Sequence, residues 1–405
     1  MFEEPAFPRA IEPARREKNL KILFLAVGFF FAFGATNVCY LLPVYYGRLG
    51  YDARASAWLV ASFYISSVLF RLVLVNLLPR LGLRRAFWLA TVFSIFGSIF
   101  VACGGARFSL ALLGRILFGF GCSLYQIGLA TYQAVAFRTE ERGGAFSLIM
   151  AGGLAPMMTL VPLADWLLQH AHERSYIALP LVLSILTAVV ALRIPGLSEV
   201  RMSPPAQNGW NPLAGVGECL KLRGFRLALY SMALFSAVDA ASAFMSTMTA
   251  ARGMLASFFL SSNAAVGVLV RLFFGKLLDR FPRRKLAAPV MLWMAGLLLA
   301  ASFVGRERHL VLLGLCFGVG MGFGFPLNLA YVSDAAPRSL QAQAVSMSWF
   351  LMGTHFAVIP LLTGWISAST GPVPAFRIVT GGVFLLSGLL LFLTWGRKGE
   401  TPDPG

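Results

Sequence analysis

Charged side chains isolated among apolar residues are the first candidates for chemistry, because a low dielectric sharpens the binding of protons and anions. In this chain Arg71, Arg115, Asp239, Arg271, His355 and Arg377 stand inside long apolar stretches. Asp239 is the acid nearest the middle of such a stretch, and Ser236, Ser242 and Ser246 share its face at helical spacing. Two tasks suit it. A lone carboxylate that is alternately hydrated and desolvated takes up and releases a proton, whereas one beside an arginine forms a structural ion pair. Arginine presents a planar fork that holds a carboxylate through two hydrogen bonds, which makes Arg271 a candidate anion ligand. His355, with Ser348 on its face, suits proton carriage, ligand binding or plain packing.

Neutral polar residues extend the set. Arg115, Cys122, Gln126 and Gln133 are spaced 7, 4 and 7, one narrow face of a helix, and Tyr125 adjoins it. Asn37 with Tyr40 and Asn328 with Tyr331 are pairs three residues apart. Enzyme chemistry lacks its parts: the chain has no G-x-S-x-G, no H-E-x-x-H and no G-x-x-x-x-G-K-[ST] for ATP. His170 and His172 beside Glu173 have metal-ligand types, but residues i and i+2 diverge on a helix, and the five cysteines show no C-x-x-C spacing. No cofactor and no bound metal are expected.

The elements that must carry these residues follow from composition. Of 405 residues, 58% are hydrophobic and only 13% charged, about half the charge that a soluble domain needs to wet its surface. About 20 apolar residues cross the hydrocarbon as a helix. Twelve such runs occur, at 21–45, 57–79, 86–106, 109–133, 143–166, 175–193, 225–249, 256–278, 286–304, 309–333, 342–366 and 373–395. They are apolar on every face, so the fold class is an all-α membrane protein rather than a barrel. Most of the 34 Lys and Arg fall in segments on one side when both termini are placed in the cytoplasm, so the net charge of +17 is a topology signal and a contact with anionic lipid headgroups. The basic clusters sit at helix ends, which gives no support to nucleic-acid binding. The polar start of the chain does not read as a signal peptide.

A Pro-rich polar stretch near 194–223 divides the runs into six and six. The expected organisation is a cytoplasmic tail 1–20, a bundle 21–193, a linker 194–223, a second bundle 224–395 and a tail 396–405. An internal repeat supports it. At an offset of 200 residues, Val68, Leu69, Arg71, Leu72, Leu77, Leu78, Arg80 and Arg84 match Val268, Leu269, Arg271, Leu272, Leu277, Leu278, Arg280 and Arg284. Three of those matches are arginines, which two unrelated apolar helices would rarely share. An even number of helices per half gives both halves the same orientation.

These residues carry a resemblance. Gly275-Lys-Leu-Leu-Asp279-Arg280-Phe-Pro-Arg283-Arg284 resembles the G-x-x-x-D-R-x-G-R-R signature of the major facilitator superfamily, with a degenerate copy at Val75 to Arg84 that has Pro79 in place of the acid. Arg115-x-x-x-Gly119-x-Gly121 and Glu141-Arg142-Gly143 are similar to two further family patterns. The resemblance implies two pseudo-symmetric six-helix bundles working by alternating access. It implies a conformational latch of Gly275, Asp279, Arg280, Arg283, Arg284 and Asp334, and a central cavity lined by helices 1, 4, 7 and 10. On that frame the candidate substrate-binding residues are Asn37, Tyr40, Tyr125, Gln126, Arg271, Asn328, Tyr331 and His355. Asp239 is the proton-coupling candidate, and Arg71 and Arg115 are structural or gating. The expected function is secondary transport of a small organic solute, anionic because buried arginines outnumber mid-membrane acids, across a bacterial cytoplasmic membrane by a monomer that is not an enzyme. The carboxylate-bearing metallophores are one such class. The competing expectations are proton-coupled efflux of neutral or cationic compounds and, behind it, metal-ion transport.

Overall fold

The computed structural model describes residues 11–105, 107–137, 139–195, 197, 216–274, 282–337 and 340–395. Twelve of its helices are long and apolar enough to cross a membrane. In chain order the long helices are α1 (Ile11–Asn37), α2 (Ala53–Leu81), α3 (Leu83–Cys103), α4 (Phe108–Ala136), α5 (Thr139–Gln169), α6 (Glu173–Ala191), α7 (Arg223–Ser242), α8 (Ser257–Phe274), α9 (Arg283–Ala301), α10 (Glu307–Asp334), α11 (Gln341–Thr370) and α12 (Pro372–Trp395). Each coincides with one predicted run, and no strand occurs among the described residues.

Two helices are interrupted where the sequence reading expects continuity. After Asn37 the chain tightens into a 3-10 turn, Val38–Leu41, and resumes as Leu42–Arg48. Pro43 stands in the first turn of that second segment, where its missing N–H and fixed φ restart a helix rather than prolong one. After Ser242, α7 breaks at Ala243 and Phe244 and resumes as Met245–Ala250. There the Ser242 hydroxyl bonds the Asp239 carbonyl at 2.7 Å, a side-chain contact that competes with the helical ladder.

The helix contacts repeat under a shift of six. α1 packs on α5 and α6 as α7 packs on α11 and α12; α4 packs on α2 and α3 as α10 packs on α8 and α9. Glycine makes the tightest of these seams. A Cβ on Gly119 would lie 2.4 Å from the Phe63 carbonyl oxygen, and one on Gly314 would lie 2.6 Å from that of Phe259, so α2·α4 and α8·α10 approach backbone to backbone. Between the bundles the seams are α2·α11 and α5·α8.

Gly50 and Gly82, both at positive φ, mark turns at the two opposite ends of the molecule. Several cross-bundle contacts lie in the half toward Gly50. Ser246 of the α7 extension donates to the Tyr40 carbonyl at 2.7 Å, and Ser261 of α8 donates to the Met157 carbonyl at 3.0 Å. Arg54 lies 4.9 Å from the Trp365 ring centre. The two broken helices thus meet each other at their breaks, across the pseudo-two-fold.

Candidate functional site

The site forms where α1, α2, α7 and α8 converge below those breaks. Asp239 is half-buried, and its carboxylate makes no hydrogen bond and no ion pair within 4.0 Å among the described residues. Arg271 is the charged side chain within electrostatic range of it, and the phenols of Tyr40 and Tyr64 lie within that range too, beside one another. An acid so placed is neither consumed by a salt bridge nor stranded in hydrocarbon. The serine stripe that shares its face turns away: Ser236 donates to the Met232 carbonyl at 2.8 Å, Ser242 to the Asp239 carbonyl, and Ser246 to Tyr40.

The repeat-related arginines have matching arrangements. Arg71 donates through Nη2 to Gln126 Oε1 on α4, and Arg271 donates through Nη2 to the Met321 carbonyl on α10 at 3.3 Å. In both, Nε is buried without a partner. Arg71 additionally faces the Trp349 ring of α11 at 5.8 Å and so reaches the second bundle. Gln126 passes the network on through Nε2 to Cys122 Sγ at 3.2 Å, and that sulfur lies 3.7 Å from the Thr36 hydroxyl of α1.

His355 is half-buried on α11 with Nδ1 at 2.8 Å from the Leu351 carbonyl. That bond makes Nδ1 the donor and leaves Nε2 as the outward atom. No hydrogen bond joins His355 to Arg271 among the described residues. Its neighbour Phe356 packs on Tyr64, ring centres 4.9 Å apart, which ties α11 to the same cluster. Asn37, the last residue of α1 before its break, is buried.

Other expected site residues lie inside a bundle. The Tyr125 ring meets Phe87 at 5.1 Å, and its hydroxyl, without a partner, fills the space beside Gly28. Asn328 is fully buried and saturated within the second bundle: it accepts from the Ser231 hydroxyl at 2.5 Å and donates to the Gly324 carbonyl at 2.8 Å. Tyr331 is buried one turn below, its hydroxyl unpartnered. Arg115 is 2% exposed between the rings of Phe63 and Phe118, 4.7 and 5.9 Å away, with Nε on the Leu59 carbonyl at 3.0 Å. Arg377 stands at the Gly50 end, 4.2 Å from the Phe303 ring and bonded to the Ser302 carbonyl.

Of the latch residues, Arg283 and Asp334 are joined in an ion pair that ties α9 to α10, and Arg284 is exposed beside them. Gly275, Asp279 and Arg280 lie outside the described residues; of Glu141-Arg142-Gly143 only the helical backbone is described. The sequence reading missed Tyr64 and Trp349 as site members. Tyr64 carried a signal, two helical turns from Arg71 on one face, while Trp349 gave none.

A family profile described as Major Facilitator Superfamily matches residues 24–286 and 229–405. Among solved structures, the chain is similar to a point mutant of the nucleoside transporter NupG (TM-score 0.73, 16% identity, 92% of this chain and 99% of that one). It is similar to a POT family transporter in complex with 5-aminolevulinic acid (TM-score 0.75, 14% identity, 93% and 96% covered). It is also similar, at TM-score 0.61 and 16% identity, to a point mutant of the E. coli fucose:proton symporter FucP, with 92% and 98% covered. Twelve membrane-length helices in two related bundles, a polar cluster between them and a family match along nearly the whole chain make one conclusion: this protein belongs to the major facilitator superfamily.

Proposed function

We propose that the protein is a secondary transporter that moves a small organic solute bearing negative charge by alternating access, with proton movement coupled through Asp239. The observation that carries this reading is the half-buried Asp239 carboxylate at the bundle interface, without an ion pair among the described residues and within range of Arg271 and two phenols. Rocking of one bundle against the other changes how that carboxylate is hydrated, and hydration sets whether it holds a proton. Arg71 and Arg271 each keep a buried, unpartnered Nε, so each has a donor in reserve for an anion. The excess of basic residues at the Gly82 end supports a cytoplasmic placement of that end and of both termini, in the membrane of a bacterial cell. On that assignment the packed Gly50 end faces outward.

A second reading, efflux of neutral or cationic compounds, draws on the same carboxylate and on the aromatic surround of Tyr40, Tyr64 and Phe356. Proteoliposomes with an imposed pH gradient test the coupling. Asp239→Asn is expected to abolish uphill movement of carboxylate solutes while leaving solute exchange at equal pH partly intact. Uphill transport with unaltered pH dependence in that variant assigns Asp239 a structural role.

A further inference from the structure

We infer that Asp165 is a positioning residue for the transport cycle: carried by α5 of one bundle, its carboxylate caps the N-terminus of α8 in the other and holds the Gly50 end shut. This rests on the alternating-access reading above.

The first N–H groups of a helix have no partner within it and need acceptors from outside. α2 supplies its own, since Asp52, the residue before it, accepts from the Ala55 N–H at 2.7 Å. The repeat partner of Asp52 is Arg252, and the residue ahead of α8 is Ala256, which has no side-chain acceptor. The missing acceptor comes from elsewhere. Asp165 Oδ2 accepts from the Ser257 N–H at 2.9 Å, and the Ser257 hydroxyl and the Ala256 N–H also reach the same carboxylate. One residue earlier, the Leu255 N–H goes to Glu307 Oε1 of its own bundle at 3.2 Å. The start of α8 is therefore shared: the Leu255 and Phe259 N–H groups are held within its own bundle, and the Ser257 N–H is held across the interface.

Burial gives this contact its weight. Asp165 is only 8% exposed, so parting the bundles at this end strips a buried carboxylate of its donors and a helix end of its anion together. The other inter-bundle seam provides the comparison. The repeat partner of Asp165 is Trp365 on α11, and it meets Arg54 at the start of α2 through an aromatic contact on an exposed side chain. Corresponding positions close both seams, and of the two it is the α5·α8 seam that does so with a carboxylate bonded to a helix N-terminus.

The test measures the two ends separately. In a background freed of its five cysteines, spin labels at residues 172 and 306 report the Gly50 end, and labels at 85 and 285 report the Gly82 end; all four positions are exposed. Asp165→Asn keeps the shape and removes the charge. Ser257→Pro keeps the carboxylate and removes the N–H at a first helical position, where proline is tolerated, so it probes the bond even if Asp165→Asn folds badly. Each variant is expected to move the ratio of long to short 172–306 distances toward long by about ten-fold, the double variant no further than either single, and Asp165→Glu much less. Ratios unchanged in both single variants, in a wild type whose distances exchange at both ends, overturn the assignment to Asp165 alone. A wild type with one fixed distance at each end, in micelles and in nanodiscs alike, overturns the alternating-access reading and the cap with it.

Discussion

Arg71 and Arg271 occupy equivalent places in the repeat and make equivalent bonds, each from the second helix of its bundle to the fourth. Besides the Trp349 ring that Arg71 faces, their surroundings differ in charge: among the described residues Arg271 has a carboxylate within electrostatic range and Arg71 has none. Lysine cannot reproduce a two-pronged fork, so Arg271→Lys is expected to weaken binding of a carboxylate solute by about ten-fold or more. Arg71→Lys serves as the internal control. Equal loss of transport in the two variants, with solute affinity untouched in both, assigns the pair a common structural task and removes the main support for an anionic solute. Asn328 belongs to a different kind of residue. Its amide holds Ser231 and the Gly324 carbonyl in a dry interior, so Asn328→Ala is expected to lower stability by roughly 1–3 kcal/mol, seen as a fall in Tm of the purified protein. Which polar residues sit among apolar ones was legible in the sequence. Which way they point was not, because Tyr125 and Gln126 are adjacent, about 100° apart on one helix, and only packing against Gly28 and Arg71 sends the first into its own bundle and the second toward the interface.

Among the elements, the helices were legible because their apolar runs are long, and their pairing was legible in part because the repeat doubles each observation. The breaks in α1 and α7 were not. A proline two residues into a new segment and a serine bonding its own backbone are common in continuous membrane helices as well, where neighbouring groups satisfy the freed carbonyls. Here the Tyr40 carbonyl left free by the first break is taken up by Ser246 of the second, a partner more than 200 residues away in sequence. Close seams between helices give the element scale its own test. On α4, Gly119→Ala is expected to force α2 and α4 apart, since the new methyl would meet the Phe63 carbonyl, and to lower Tm by several degrees. Gly388→Ala on α12 meets nothing within 4 Å and is expected to be neutral. Equal effects from the two would show that backbone approach at Gly119 is not what holds that seam.

At the scale of the whole molecule, the contact pattern that repeats under a shift of six makes each bundle a unit and leaves α2·α11 and α5·α8 as the seams on which they can move. On the proposed reading, the packed Gly50 end with the polar cluster beneath it is the closed end of the transport path. On the proposed orientation the basic Gly82 end is cytoplasmic, and side-selective labelling tests orientation and closure together. Single cysteines at Arg54 and Arg306 are expected to react with a membrane-impermeant maleimide added to intact cells. Cysteines at Arg85 and Lys285 are expected to react only after the membrane is opened, all four being exposed at their ends. A fifth position separates topology from gating. Trp349 lies within reach of Arg71 between the bundles and is 39% exposed, so Trp349→Cys should be protected from the outer reagent while Arg54→Cys reacts, and should label readily from the cytoplasmic side. Reaction of Arg85→Cys in intact cells would reverse the orientation. Reaction of Trp349→Cys from outside, with the four end positions behaving as expected, would keep the orientation and place the resting closure at the cytoplasmic end instead.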